Sequence, residues 1–141
     1  MKQTREETLL VLNKMCKNTL METLAIEFVD ISQDTVVAKM PVNSRVHQPD
    51  GVLHGGASVA LAESVGSAAA MLFLNTKDVA IRGIEIAANH VKGVREGFVY
   101  AHAKVVHQGR TTQLWQIRIV NEDDQLVSLV KLTTLALRNQ T

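Results

Sequence analysis

The chain has few of the residues that form disulfides, restrict the backbone or create a strong charge. Its 141 residues include one cysteine, two prolines and five aromatic residues, and fifteen Lys and Arg residues nearly balance fourteen Asp and Glu residues. The lone Cys16 excludes an intramolecular disulfide framework and a cysteine-cluster zinc site, and no other metal site is expected. A formal net charge of +1 gives no field favouring nucleic acid or an acidic membrane surface. The 46% hydrophobic content excludes a disordered chain.

From the sequence we expect neither a cleaved secretory signal nor a membrane anchor. Residues 1–7 turn acidic before any apolar core appears, which is not the pattern of a signal peptide. Residues 51–76 contain only His54 and Glu63 as ionisable groups, but Ala, Ser and Gly dominate the centre of this segment. A helix buried inside a soluble protein is therefore favoured over a membrane span. We expect a cytoplasmic protein, and the single thiol fits a reducing compartment.

Hydrophobic periodicity predicts a single α+β domain over residues 1–141. Thr4 and Glu7 fit a capping box, so a short amphipathic helix is predicted over residues 5–16, and a long apolar helix is predicted over residues 56–74. Ile84, Ile86 and Ala88 are expected on one strand face. The order of elements predicts a mainly antiparallel sheet that wraps around the long helix. The predicted strands cover residues 24–31, 35–42, 80–91, 98–107, 112–120 and 126–137.

Two features around the start of the long helix point to chemistry. Gly55 and Gly56 precede the helix, where backbone N–H groups and the helix dipole can stabilise a developing oxyanion; a tight helix start with no further role is the alternative. Glu63 is the single carboxylate in an otherwise apolar helix, which makes it a candidate general base or nucleophile. A carboxylate bonded to a backbone group, or one that simply faces a solvated edge, is the alternative. Ser67, four residues later, shares its helix face.

The spacing of these two features predicts a homodimer. Eight residues separate Gly55 from Glu63, or about 12 Å along a helix. A base at that distance cannot act on a carbonyl held by Gly55, because proton transfer needs hydrogen-bond contact. If both residues serve one substrate, they come from two chains related by a two-fold axis.

Several segments together resemble the hot-dog-fold acyl-CoA thioesterases, in the branch of the Arthrobacter-type 4-hydroxybenzoyl-CoA thioesterase. These are Gln48, LHGGA at 53–57, LAES at 61–64 and Gly66-Ser67, with further similarity at 40–42, 85–91 and 115–117. The resemblance implies an antiparallel sheet wrapped around a long central helix. It also implies hydrolysis of an aryl- or acyl-CoA to the free acid and CoA, without a cofactor, by a homodimer or a dimer of dimers.

The same resemblance implies a role for each matching residue. The Gly55 N–H would polarise the thioester carbonyl, and Glu63 of the partner chain would act as nucleophile or as general base on water. Gln48 and His54 would position the thioester and the leaving sulfur, and Ser67 would hold Glu63 or its water. Binding of the CoA nucleotide is expected at basic and turn residues, namely His90, Lys92, Arg95, Gly109, Arg110, Thr111 and Thr112.

Because the sequence departs from the family pattern at two places, it does not define the identity of the acyl group. Asp50 stands where relatives often carry an aromatic residue, and the segment 75–78 also differs, so both are expected to line or gate the acyl pocket. Whether the thiol carrier is CoA or acyl carrier protein also stays open. A hot-dog hydratase and a non-catalytic acyl-thioester sensor are the competing functions; the Gly55 and Glu63 pattern argues against the first, and the presence of Glu63 argues against the second.

Overall fold

The computed structural model describes residues 2–74 and 77–138. Within them, three α-helices, one short 3-10 helix (Ser44–Val46) and six strands follow one another along the chain. The helices are α1 (Arg5–Met15), α2 (Leu20–Thr23) and α3 (Gly55–Phe73). The strands are β1 (Glu27–Ile31), β2 (Thr35–Pro41), β3 (Val79–His90), β4 (Phe98–Gln108), β5 (Thr112–Val120) and β6 (Leu126–Arg138).

The six strands form one antiparallel sheet in the order β1-β2-β4-β5-β6-β3. β1 and β3 are therefore its edges, and α3 packs against β2 to β6 on the inner face. This arrangement confirms the predicted α+β fold with an antiparallel sheet around a long helix. It also places the unpaired edge of β3, twelve residues long, beside the helix that carries the candidate residues.

α3 is buried because its side chains match the apolar face of the sheet. By length and composition the helix could cross a membrane, but eight of its residues are buried in the protein. Leu61 and Val65 have no exposed surface, and burying a side chain of this size contributes about 1.5–3 kcal/mol. Opposite them, Trp115 is fully buried and its Nε1–H donates to Thr134 Oγ1 at 2.9 Å. The predicted buried helix and the predicted core position of Trp115 are both confirmed.

α1 is docked on β1 by polar contacts. Asn13 bonds both backbone groups of Phe28: its Nδ2 donates to the carbonyl at 3.0 Å, and its Oδ1 accepts from the N–H at 2.7 Å. Arg5 Nε donates to Asp30 Oδ1 at 2.8 Å, and this hydrogen bond lowers the pKa of the Asp30 carboxyl. The predicted capping box at Thr4 is present. Cys16 is buried in the core, and burial raises the pKa of its thiol. A thiol of this kind is a packing group rather than a nucleophile.

The ends of the predicted helices and strands lie within one residue of the observed ones, with one exception in a boundary and a second one in a strand face. The first is the strand predicted over 24–31, which begins only at Glu27, because Leu24 caps α2 and Ala25 has a φ of 57° in the left-handed region. The second is the predicted common face of Ile84, Ile86 and Ala88. A β-bulge between Gly83 and Glu85 leaves Ile84 without a pairing partner and 54% exposed, whereas Ile86 and Ala88 pack against the core.

Candidate active site

The start of α3 leaves one backbone donor free. His54 is the N-cap, and its Nδ1 accepts from the Gly56 N–H at 2.7 Å. The His54 carbonyl accepts from the N–H groups of Ala57 and Ser58. The Gly55 N–H, by contrast, has no hydrogen-bond partner within the described residues. A donor that the helix itself cannot use, at the positive end of the helix dipole, is suited to a carbonyl oxygen or an oxyanion.

The cap also fixes the tautomer of His54. Because Nδ1 accepts the Gly56 N–H, the proton of the neutral ring lies on Nε2. The ring is exposed, so its Nε2–H is available as a donor. His54 therefore combines a structural role, as helix cap, with a free donor directly before Gly55.

A pocket of about 420 Å³ surrounds Gly55, and we call it the glycine pocket. Gln48, Ser58, His90 and Lys92 are among the residues that line it. The side-chain oxygen of Gln48 accepts the Asp50 N–H, which leaves the Gln48 amino group available as a donor. Gln48 and Gly55 thus line one pocket, and each carries a donor that is unused in the described structure.

His90 closes one side of the glycine pocket. Its Nε2 is so near Gly55 that a Cβ on that glycine would be 2.7 Å away, which explains why a glycine is needed there. The other ring nitrogen, Nδ1, lies 2.9 Å from Ser128 Oγ. Ser128 is fully buried on β6, and its hydroxyl is also 3.3 Å from the carbonyl oxygen of Asn89.

Glu63 lies in a different cavity, a groove of about 660 Å³ that we call the glutamate groove. Its carboxylate lies against Gly83, whose added Cβ would be 2.6 Å from Oε1. Glu63 is half-buried, and within the described residues its carboxylate has no hydrogen-bond or ion-pair partner. Within the described residues this rules out a carboxylate bonded to a backbone group, whereas a carboxylate that faces a solvated edge stays an alternative. A water or a substrate can therefore approach it.

The serines beside Glu63 differ in what their hydroxyls do. Ser64 Oγ donates to the Ala60 carbonyl at 2.7 Å, inside the helix. Ser67 lines the groove together with Glu63, and no hydrogen bond joins their side chains in the described structure. If Ser67 assists Glu63, it does so through a water or through the substrate.

Most of the glutamate groove is apolar, and much of its wall comes from the N-terminal part of the chain. Among the described residues of the lining, Glu63 and Arg82 are the charged ones. The apolar lining comprises Leu12, Met15, Leu20, Met21, Phe28, Ala60, Ala68, Met71, Val79, Ala80 and Ile81. Such a surface suits an apolar acyl group.

Residues expected to gate the acyl pocket are only partly described. Asn75 and Thr76 lie outside the described residues, while Lys77 and Asp78 are exposed immediately before β3. Asp50 lies beside the glycine pocket rather than in the glutamate groove: its carbonyl accepts from Arg95 Nη1 at 3.2 Å.

The residues expected to bind the CoA nucleotide fall into two groups. His90 and Lys92 line the glycine pocket, and Arg95 is attached to the loop that carries Gln48. Gly109, Arg110 and Thr111 form the β4–β5 turn, and Thr111 accepts the Ala136 N–H near the far end of β6. This end of the sheet is the one that holds Gly83 and Glu63, since Gly83 pairs with Thr134. One chain does not bring the two groups together.

Sequence reasoning missed Ser58, which lines the glycine pocket, and two residues that contact cavity residues: Gly83 beside Glu63 and Ser128 beside His90. Ser128 is 38 positions from His90, and no local pattern reveals their contact. Gly83 offered a signal, because an isolated glycine in a predicted strand indicates a bulge or a close approach. No group of three potential metal ligands occurs among residues 2–74 and 77–138.

Comparison with known proteins gives one consistent result. Residues 50–128 match the Thioesterase superfamily. The chain is 46% identical over 133 residues to 1,4-dihydroxy-2-naphthoyl-CoA hydrolase of Escherichia coli, covering 94% of this chain and 97% of that protein. It is 42% identical over 131 residues to the proofreading thioesterase EntH of Cronobacter turicensis, covering 92% of this chain and 94% of that one. The crystal structure of a mutant thioesterase from Pseudomonas aeruginosa superimposes with a TM-score of 0.91 at 42% identity, covering 93% of this chain and 94% of the other.

Proposed function

Since this chain belongs to the thioesterase superfamily and has the hot-dog fold of a thioester hydrolase, we propose that it cleaves an aryl- or acyl-CoA to the free acid and CoA. The observation that carries the proposal is the pair of unused groups on one helix. Gly55 offers a free N–H at the helix start, and Glu63 offers a carboxylate without a partner in the described structure. A carbonyl needs the first group and an attacking water needs the second.

In the proposed reaction the glycine pocket binds the thioester carbonyl. The Gly55 N–H and the Gln48 amino group donate to the carbonyl oxygen, and the α3 dipole stabilises the negative charge that develops there. The exposed Nε2–H of His54 donates to the leaving sulfur. These donors are fixed before the substrate arrives, since His54 and Gln48 are each held by a backbone N–H.

Glu63 promotes attack on the thioester carbonyl carbon, either as general base or as nucleophile, and both routes give the same products. As general base it takes a proton from water while the water oxygen bonds to the carbonyl carbon; as nucleophile it forms an anhydride that water then hydrolyses. In both routes the C–S bond breaks, the thiolate takes up a proton and the carboxylate of Glu63 is restored. Ser67 orients the attacking water from the same groove.

We place the two groups of each site on different chains. Within one chain, Gly55 and Glu63 lie in separate cavities, about 12 Å apart along α3. The exposed edge of β3, with its exposed Ile84, offers a surface for antiparallel pairing with a second copy. Such pairing places the Gly83 end of one β3 beside the His90 end of the partner's β3. Because Glu63 contacts Gly83, it is carried toward the glycine pocket of the partner. We propose this dimer as the active unit, with a dimer of dimers as the larger assembly.

The acyl group then lies in the glutamate groove, and the CoA nucleotide lies outside the glycine pocket near Lys92 and Arg95. The apolar lining of the groove supports an uncharged acyl group. The E. coli relative, named as a hydrolase of 1,4-dihydroxy-2-naphthoyl-CoA, makes a fused-ring aryl-CoA a substrate to test. A cytoplasmic location fits the buried free thiol of Cys16.

Replacing the carboxylate of Glu63 tests this proposal. We expect Glu63→Gln to fold and associate normally but to lose at least about a hundredfold in thioester hydrolysis, because the amide neither attacks nor accepts a proton. Glu27→Gln is the matched control, since Glu27 is an exposed carboxylate on β1 that pairs with Lys39. Thiol release from aryl-, short-chain and long-chain CoA and acyl carrier protein thioesters is the measurement. Activity of Glu63→Gln within about threefold of wild type refutes the role of Glu63.

A further inference from the structure

The contact between His90 and Ser128 has a consequence for substrate binding that depends on where one proton lies. Ser128 Oγ is 2.9 Å from His90 Nδ1 and 3.3 Å from the Asn89 carbonyl oxygen. The carbonyl can only accept, so the single hydroxyl proton of Ser128 serves it. Both contacts are hydrogen bonds only if Nδ1–H of His90 donates to Ser128. The neutral ring then has an unprotonated Nε2.

That unprotonated nitrogen faces the glycine pocket. Nε2 would be 2.7 Å from a Cβ on Gly55, so it lies beside the position proposed for the thioester carbonyl. Among the other polar groups that line this pocket, the Gly55 N–H, the Gln48 amino group and the Lys92 ammonium are donors, and the Ser58 hydroxyl can donate or accept. His90 Nε2 is therefore an acceptor in a pocket whose other polar groups are mainly donors, and the group it suits is an N–H of the substrate.

The thiol carrier of an acyl thioester provides such a donor. In the pantetheine arm, which CoA and acyl carrier protein share, an amide N–H follows the sulfur after two methylene groups. With the carbonyl at Gly55, this amide would follow a few bonds away, within reach of the pocket wall that His90 forms. We propose that Ser128 is a positioning residue that fixes the tautomer of His90, so that Nε2 accepts the hydrogen bond of this amide. The inference rests on the proposed function and adds to it a specific recognition of the carrier.

A pair of short thioesters isolates that hydrogen bond. One is the benzoyl thioester of N-acetylcysteamine, which keeps the amide; the other is its oxygen isostere, in which an ester replaces the amide and removes the N–H. We expect wild-type kcat/KM to favour the amide compound by about five- to tenfold, the value of one hydrogen bond. Ser128→Ala should lower kcat/KM for the amide compound by about that factor and leave the ester compound within about twofold.

A control variant and a spectroscopic measurement separate positioning from stability. Thr134→Val removes another fully buried hydroxyl of β6, bonded to Trp115 and Gln113, and should keep the wild-type preference for the amide compound. The ¹⁵N NMR shifts of His90, assigned with His90→Gln at about pH 8 where a typical neutral ring prevails, should show the Nδ1–H tautomer in wild type and the Nε2–H tautomer in Ser128→Ala.

Three results would overturn the inference: the Nε2–H tautomer in the wild-type protein, no preference between the two thioesters, or an equal loss on both in Ser128→Ala. Failure of the proposed function looks different. In that case the wild-type protein would cleave neither short thioester nor benzoyl-CoA, while the NMR measurement would still decide the tautomer. If benzoyl-CoA is cleaved and the short thioesters are not, the kcat/KM of Ser128→Ala on benzoyl-CoA decides: a five- to tenfold loss is expected, and an unchanged value overturns the inference.

Discussion

The carboxylate of Glu63 on α3 lies against the backbone of Gly83 on the edge strand β3, and a methyl group on Gly83 would be 2.6 Å from Oε1. The bulge that follows Gly83 turns Ile84 outward at the same place. The position of the proposed attacking group is thus set by a glycine on another element. In the proposed dimer, this contact fixes the position from which the carboxylate acts on a substrate held by the glycine pocket of the partner.

We therefore expect Gly83→Ala to reduce activity with little effect on stability. The added methyl group must displace the carboxylate, and a misplacement of about 1 Å can cost up to a hundredfold in rate. Gly83 is exposed and its φ is not in the left-handed region, so alanine is compatible with the strand. The predicted result is a fall of at least about tenfold in kcat with thermal unfolding near that of wild type. Unchanged kcat would show that the carboxylate does not work from this position.

A second prediction separates the two roles of His54. Asparagine is among the best N-cap residues and alanine is a poor one, a difference of about 1 kcal/mol. His54→Asn should therefore keep the free energy of unfolding close to wild type, and His54→Ala should lower it by about that amount. If Nε2–H donates to the leaving sulfur, both variants should lose kcat alike. Full activity in His54→Asn would leave the histidine as a helix cap only.

A third prediction concerns pH and His102 on β4. Burial lowers the pKa of the His102 ring, with Arg118 adding to the shift and the carboxylates of Asp124 and Asp30 opposing it. As the pH falls below the unfolded-state pKa of about 6.5, the unfolded chain binds a proton that the folded chain does not, so stability decreases. The decrease ends once the pH is below the lowered folded-state pKa.

The measurement is denaturant unfolding of wild type and His102→Gln between about pH 8 and pH 5. The variant should show a smaller decrease in the free energy of unfolding over this range. His107→Gln is the matched control, because His107 is exposed near the end of the same strand. Equal slopes for wild type and His102→Gln would contradict the prediction.

Much of the fold could be predicted because the pattern of apolar residues is regular. Val99, Ala101 and Ala103 alternate without interruption and are fully buried as expected. Prediction failed where a backbone irregularity changed the pattern: the bulge at Ile84, and the left-handed Ala25 that delays β1. Neither leaves a signal in hydrophobic periodicity, because the residues concerned are apolar in both cases.

In the candidate site, too, some residues could be predicted from the sequence and some contacts could not. The residues around the helix start could be found from their spacing and family pattern, since Gln48, His54 and Gly55 are close in sequence and meet locally. The contacts of His90 with Gly55 and Ser128 join three separate elements. Only the register of β3 against β6 brings His90 opposite Ser128, and register follows from the whole sheet rather than from any segment.

Mixing two inactive variants tests the shared site most directly. Gln48 lies in the glycine pocket and Glu63 in the glutamate groove, so Gln48→Ala and Glu63→Ala should each inactivate one half of every site. After verified subunit exchange, random pairing makes about half of the dimers mixed, each with one intact site of two, and activity should recover to about a quarter of wild type. If both residues served one site from the same chain, no mixed dimer could contain an intact site. Complete exchange with no recovered activity would therefore contradict the account, even with Glu63 essential.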